Sequence, residues 1–452
     1  MKHKVLQTTV YIRLRNAFRP ALDRVIALGR FSQTLLFGSA LGIAIGVCWV
    51  PDAIAQQVSP ELRDAFLSDP LESEPLDPLL PVLPVEREYS PLEKQAIAAD
   101  LDKLNQAAQE LLQQEQLNAA FGLWRRELKL RRIIGTTEEF EAIQRVAAIA
   151  WAQQRQPDVQ LLTLRTREIW EAIKTSLGTE EETMLGGPDT GVPQDSLISG
   201  APTADIAILT ELGQTFTVLR DIDSAVEVYQ QLIVLAADRP AEKAVQQLTL
   251  AELHLEWFQF AEATNTYLAL LETARASSDQ AAEIAYLERL AYTYQQAKSL
   301  PNAVRAQTDL LEIYQGLGRA DEFPELMVAI AQNYRTLNLH TSAIDYYRAA
   351  YRAAQRFEQF SFSAQALKDL GSLYESLALT DEALGAYTLL VPVEEQAYND
   401  YGVMNAYDNI GQLQRRKGNS LEALKAFEKA LVIANRLGLS EEYFIEQIES
   451  VT

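Results

Sequence analysis

Few residues of this chain have the types and spacing that catalysis or metal binding requires. Beyond His3, the histidines are His254 and His340, which fall in separate helical segments and cannot share one metal ion. A single cysteine, Cys48, allows neither a disulfide nor a thiolate metal site. The patterns GxxxxGK[ST], HExxH, GxSxG and CxxC do not occur. We therefore predict that the chain is not an enzyme and has no catalytic residues, no metal site and no cofactor.

Carboxylates are the remaining ligands for a hard cation such as Ca²⁺ or Mn²⁺. The densest group is Glu180, Glu181, Glu182 and Asp189. Because its spacing does not resemble an EF-hand loop, we interpret the group as part of a solvated loop. Binding or delivery of a divalent cation (Mn²⁺ or Ca²⁺) by this acidic protein is retained as the alternative function.

The charge of the chain argues against nucleic acid as a partner. Acidic residues outnumber basic ones by 62 to 40, which gives a formal net charge of -22. A phosphate-binding surface needs clustered Lys and Arg. We therefore expect a protein or peptide partner.

The N-terminal segment has the features of an export signal. Residues 1–34 carry seven basic side chains against one acid, and the apolar run Leu35–Val50 and an Ala-Ile-Ala sequence at 53–55 follow. This order is typical of a secretory signal peptide cleaved before Gln56. We predict a signal peptide or N-terminal membrane anchor over residues 1–55. An organellar transit region is the alternative interpretation of its basic first part. Contact with a membrane would then come only through an uncleaved N-terminal segment or through a membrane-protein partner.

A proline-rich segment follows. Seven of the 17 prolines lie between Ser59 and Pro91. Proline favours extended backbone and cannot donate a backbone hydrogen bond. We predict an acidic linker over residues 56–94 that acts as an extended tether, with "PLLPVLPV" as a segment that could dock in a partner's groove.

From Leu101 onward, small residues recur in pairs twelve positions apart, and each pair repeats after about 40 residues. The pairs are Gly213 and Ala225, Ala251 and Ala263, Ala291 and Ala303, Ala331 and Ala343, Gly371 and Ala383, and Gly411 and Ala423. Rings stand near most of them, at Phe216, Tyr294, Tyr334, Tyr374, Tyr229, Tyr267, Tyr347, Tyr387 and Phe427. Small residues let two antiparallel helices approach closely, and the ring fills the space beside the contact. His254 occupies one ring position, so we interpret it as a core histidine.

This pattern resembles the tetratricopeptide repeat (TPR) in a 40-residue form, over about Asp205–Gly438. The same frame continues upstream in degraded form, with Ala108, Ala120 and Trp124 forty residues before Ala148, Gln160 and Leu164. The resemblance implies an all-α, right-handed superhelical α-solenoid of about eight TPR-like helix-turn-helix repeats. We assign two degenerate repeats to 95–175, an inserted loop to 176–203, six repeats to 204–438 and a C-terminal capping helix to 439–452.

Such a solenoid would present the first helix of each repeat to a groove. The residues that we expect to line this partner-binding groove are Glu211, Gln214, Glu252, Glu288, Arg289, Tyr292, Gln332, Arg335, Lys368, Asp369, Ser372, Asp408, Asn409, Gln412 and Arg415. These polar side chains suit an extended peptide or a short helix. The sequence thus predicts an exported protein–protein interaction scaffold, an assembly or maturation factor for a larger complex.

The layout of signal, acidic linker and repeats is similar to that of exported cyanobacterial TPR proteins of the processing-associated kind. That resemblance implies a role in photosystem II assembly and manganese delivery. It also implies a location in the periplasm or the thylakoid lumen. If the N-terminal segment is not cleaved, it would anchor the protein to the membrane there.

Overall fold

A computed structural model describes residues 58–72, 75–83, 85, 87–185 and 206–452, with the backbone alone over 178–185. The predicted signal or anchor segment, 1–55, lies outside the described residues.

The described residues fold into eighteen α-helices and contain no β-strand. In chain order, α1 to α18 are Pro60–Leu67, Pro91–Gln113, Leu117–Arg131, Thr136–Ala152, Gln156–Leu185, Ile206–Leu219, Ile222–Leu235, Pro240–Glu256, Phe260–Ala276, Gln280–Gln296, Leu300–Gly316, Phe323–Thr336, His340–Arg356, Phe360–Ser376, Thr380–Gln396, Asp400–Arg416, Ser420–Leu437 and Glu441–Glu449. Helices α2 to α17 form eight antiparallel pairs, and each pair contacts the next, which makes an all-α superhelical repeat array. Within the described ranges, none of the helices is both long enough and apolar enough to cross a bilayer.

From α8 onward, each turn between helices uses a left-handed residue. After α8, Phe258 has φ +59°, its N–H donates to Leu255 O at 3.1 Å, and Gln259 N–H donates to His254 O at 2.8 Å. This pair of bonds is a Schellman motif, which satisfies the last carbonyls of a helix. Left-handed residues recur every twenty positions at 258, 278, 298, 318, 338, 358, 378, 398, 418 and 438. A helix and its turn therefore occupy twenty residues, and two such units make the 40-residue repeat.

The predicted contact between small residues and rings is confirmed. A Cβ atom added to Gly371 would lie 2.7 Å from the Tyr387 ring, and one added to Gly411 would lie 2.5 Å from the Phe427 ring. The second small residue of seven pairs, from Ala120 to Ala423, is fully buried. The small residues thus set how closely the two helices of a repeat approach.

The predicted register of the second repeat is wrong by one residue. Ala148 and Leu164 are exposed and Gln160 is half-buried, whereas Ala147 and Val159 are buried. The cause lies upstream: α3 and its turn together span residues 117–135, one residue fewer than the twenty-residue unit. The following repeat therefore begins one position earlier than the 40-residue spacing predicts.

The prediction of an extended tether over 56–94 is also wrong, because most of this segment packs against the first two repeats. Residues 60–67 form α1, and Phe66, Leu80 and Tyr89 are buried. Asp77 accepts two hydrogen bonds from Arg126, both 2.7 Å long. Helix α2 then begins at Pro91, with Ser90 and Glu93 forming a capping box.

The inserted loop was predicted to begin at Ser176, but α5 continues to Leu185. A single Gly178 weakens a helix by only about 1 kcal/mol, and no proline occurs between Ser176 and Pro188. The rest of the predicted loop lies outside the described residues.

Candidate functional site

The first helices of successive repeats are joined by side-chain contacts, so that they form one face. We call this the first-helix face: the solvent side of α4, α6, α8, α10, α12, α14 and α16. The contacts are Arg289 Nε to Glu252 Oε1 at 3.1 Å, Gln332 Nε2 to Asp369 Oδ2 at 2.9 Å, and Arg335 Nη2 to Ser372 Oγ at 3.0 Å. None of the fifteen predicted groove residues is buried. Their role in binding a partner stays a prediction.

A pocket of about 350 Å³ opens on this face where α4, α6 and α8 meet. Its lining consists of Gln144, Gln214, Thr217, Val218, Tyr229, Thr249, Glu252, Leu253 and Glu256. Gln214 and Glu252 were predicted from the sequence. Gln144 was missed because no groove residue was predicted in the first two repeats. Glu256 lies one turn beyond Glu252, five residues past Ala251, and was not predicted, because the sequence reading went no further than four residues past the small residue, at Arg335 and Arg415.

The pocket holds two carboxylates with different surroundings. Glu252 accepts a hydrogen bond from the Tyr267 hydroxyl at 2.7 Å and pairs with Arg289. Glu256 has no ion pair with any basic side chain of the described chain. Partial burial, and secondarily the nearby charge of Glu252, raises the pKa of Glu256. The pocket therefore carries a negative charge that the protein does not compensate.

The centre of the face carries two basic side chains, Arg335 and Lys368, beside one acid, Asp369. Arg335 of α12 donates to Ser372 of α14 but lies within ion-pair distance of no described carboxylate. Lys368, also on α14, is exposed and likewise has no ion pair among the described residues. Between the pocket and this centre, Glu288 accepts a hydrogen bond from Tyr314 at 2.9 Å, and Tyr292 is 48% exposed.

The C-terminal end of the face is covered by the protein's own last helix. Tyr443 of α18 donates to Asp408 at 3.0 Å, and Gln447 accepts from both Gln412 and Arg415, at 3.1 and 2.9 Å. These contacts correspond to those that join successive first helices, so α18 takes the place of the next first helix. Asp408, Gln412 and Arg415, predicted as open groove residues, are instead engaged within the chain, whereas Asn409 beside them has no such contact to α18.

A larger cavity of about 670 Å³ lies between the N-terminal segment and the first two repeats, away from the first-helix face. Basic and acidic side chains line it together. Arg87 pairs with Glu93 and Arg165 with Glu139, at 2.8 and 2.7 Å. Because these two arginines are paired within the protein, we assign no particular ligand to this cavity.

Metal-binding chemistry finds little support among the described residues. They contain no group of three or more His, Cys, Asp or Glu side chains arranged to hold a metal ion. The side chains of Glu180, Glu181, Glu182 and Asp189 lie outside the described part. His254 is buried, as predicted for a ring position, and its Nδ1 lies 2.6 Å from Gln259 Oε1.

Several solved structures overlap parts of the helical array at low identity. BtubC from P. vanneervenii is 20% identical, covering 48% of this chain and 91% of its own, with a TM-score of 0.36. Aspartyl phosphate phosphatase F from Bacillus subtilis is 14% identical over 68% of this chain and 78% of its own, with a TM-score of 0.37. YrrB, described as a TPR protein with an unusual peptide-binding site, is 19% identical over 44% of this chain and 91% of its own, with a TM-score of 0.31. At these scores, the overlaps say nothing about the function of this chain.

Sequence comparison identifies the repeat type. None of the proteins of curated function is significantly similar to this chain. Residues 324–357 and 405–436 match the family model of the tetratricopeptide repeat. These segments cover most of α12 with α13 and of α16 with α17, two of the eight helix pairs. The sixth and the eighth helix pairs of the array therefore match the tetratricopeptide repeat.

Proposed function

We propose that this protein is an interaction scaffold that binds a segment of a partner polypeptide along the first-helix face, from the pocket at α8 to α14. One observation carries the proposal: three successive first helices enclose a pocket, and the face continues from it as a row of exposed polar side chains. A pocket of about 350 Å³ is large enough for a side chain of a partner, and the amides and carboxylates beside it suit an extended backbone.

The chemistry of the face favours a polypeptide over a small molecule. Its polar groups are spread over several repeats instead of converging on one point, and α18 closes only one end. TPR proteins typically act as protein-binding scaffolds, which agrees with the two matched segments. We further propose that the scaffold is exported to the periplasm or the thylakoid lumen, where it assists assembly or maturation of a larger complex such as a photosynthetic membrane complex.

Charge reversal on the face tests this proposal. We expect the triple change of Arg289, Arg335 and Lys368 to Glu to abolish recovery of the partner in affinity purification from the native host. The matched control reverses three exposed basic residues on second helices, namely Arg305, Arg352 and Lys425, and should leave recovery unchanged. Circular dichroism checks that both variants keep their helix content. Equal recovery by the two variants would refute the proposed face.

A further inference from the structure

The unpaired charges of the first-helix face specify what kind of segment it can bind. We propose, on the basis of the function proposed above, that the partner segment is extended and carries a Lys or Arg for the pocket at Glu256. We further propose that it carries an Asp or Glu about six residues away for Arg335. The partner is thus identified by a pair of opposite charges at a defined separation.

The pocket has the chemistry for a basic side chain. Glu252 and Glu256 lie one turn apart on α8, so both carboxylates face the same space. Arg289 compensates Glu252 alone. Val218 and Leu253 form an apolar wall of the pocket. A Lys or Arg can pack its aliphatic stem on such a wall while its charged end reaches a carboxylate.

Arg335 has the chemistry for an acidic side chain. Its Nη2 donates to Ser372 at 3.0 Å, and the Tyr347 hydroxyl also interacts with the guanidinium. Asp369, on α14, accepts a hydrogen bond from Gln332 and forms no ion pair with Arg335. Arginine has five N–H donors in a planar fork that matches a carboxylate. Lys368 adds a second uncompensated positive charge on the same helix as Ser372.

The separation follows from the spacing of the repeats. Glu256 is the last residue of α8 and Arg335 is next to last in α12, so both lie at the same end of their helices. One first helix, α10, stands between them. These first helices meet through long side chains, as in the pair of Arg289 with Glu252, so a spacing of roughly 10 Å for each helix places the two charges about 20 Å apart. An extended chain advances about 3.3 Å per residue, so about six residues span that distance.

Selection from a library of random twelve-residue peptides displayed on phage, panned on the full chain, tests the inference. We expect the enriched peptides to contain a basic and an acidic residue five to seven positions apart. Panning on Glu256→Lys should replace the selected basic residue with an acidic one, and panning on Arg335→Glu should replace the acidic residue with a basic one. Neither residue forms an ion pair with another residue that the structure describes, so the changes remove none. Glu272→Lys, an exposed site on the second helix α9, is the matched control and should select the same peptides as the wild type.

Binding of individual peptides then measures the effect. A wild-type-selected peptide should bind Glu256→Lys about tenfold more weakly or worse, and the peptide with its two charges exchanged should bind the wild type as poorly. Two results would overturn the inference: enriched peptides that lack the pair of opposite charges, or selection of the same pair by the wild type and by Glu256→Lys. So would the absence of any enriched peptide. None of these results would overturn the first-helix face itself, because the charge-reversal experiment with the native partner tests that face separately.

Discussion

Replacing Gly371 by Ala probes how closely the two helices of a repeat must approach. The added Cβ would lie 2.7, 2.8 and 3.1 Å from three carbon atoms of the Tyr387 ring. That ring cannot move aside easily, because it is buried and its hydroxyl donates to Glu375 at 2.7 Å. The extra methyl group must therefore push α14 and α15 apart or displace the ring.

The expected cost is the balance of two terms. Inserting a methyl group into a packed core costs about 1–3 kcal/mol. Ala is a better helix former than Gly by about 1 kcal/mol, which offsets part of that cost. The 2.7 Å approach to a ring that is held in place puts the packing cost in the upper part of that range, about 2–3 kcal/mol. We therefore expect Gly371→Ala to lower the free energy of unfolding of this region by about 1–2 kcal/mol. Urea unfolding followed by circular dichroism measures it.

Gly385→Ala is the matched control on the neighbouring helix. A Cβ added to Gly385 meets no atom within 4 Å, so the gain in helix propensity remains and the free energy of unfolding should rise by about 0.5–1 kcal/mol. The two variants should thus have effects of opposite sign. Stabilisation by Gly371→Ala equal to that of Gly385→Ala would refute the reasoning about close approach.

Three further predictions concern the turns, the N-terminal segment and the last helix. Ala378→Gly, at φ +58°, should raise the free energy of unfolding by about 0.5–1 kcal/mol, whereas Gly418→Ala, at φ +78°, should lower it by a similar amount in urea titrations. The hydrogen bonds from Arg126 lower the pKa of Asp77 below its usual 3.8. The stabilisation by this pair is therefore complete above pH 3.8 and is lost as the pH falls through the lowered pKa. Acid should then expose the N-terminal segment to an acid-active protease. Asp77→Asn should remove that pH dependence, and proteolysis that is independent of pH in the wild type would contradict the assignment. Phe444 is only 2% exposed, so Phe444→Ala should weaken the packing of α18 by about 3 kcal/mol. We expect faster amide hydrogen exchange in α17 and α18. Unchanged exchange would show that α18 is held by other contacts.

The repeat architecture could be predicted because its signal is local. A small residue in one helix and a ring sixteen positions later, as for Gly371 and Tyr387, identify a helix pair without any knowledge of distant contacts. The failure at Ala148 has an equally local cause. Helix α3 with its turn is one residue shorter than the standard unit, and no small residue or ring marks that change.

The rest depends on contacts between residues far apart in sequence. The proline-rich segment reads as a tether, but Asp77 meets Arg126, and Leu80 packs into a buried cluster with Ile97 and Leu101. The hydrogen bond from Arg415 to Gln447 could not be predicted from the sequence either, because it depends on where α18 packs. Position along a first helix predicts which side chains are accessible, but not whether another part of the chain already engages them.

Site-specific photocrosslinking in the native host tests the central claim most directly. A photoreactive residue is placed at Gln214 or Lys368, both exposed on the first-helix face, and at Glu272 on the second helix α9 as the control. We predict that Gln214 and Lys368 crosslink to the same partner polypeptide and that Glu272 does not. Crosslinks of that partner to Glu272 but to neither first-helix position would contradict the claim.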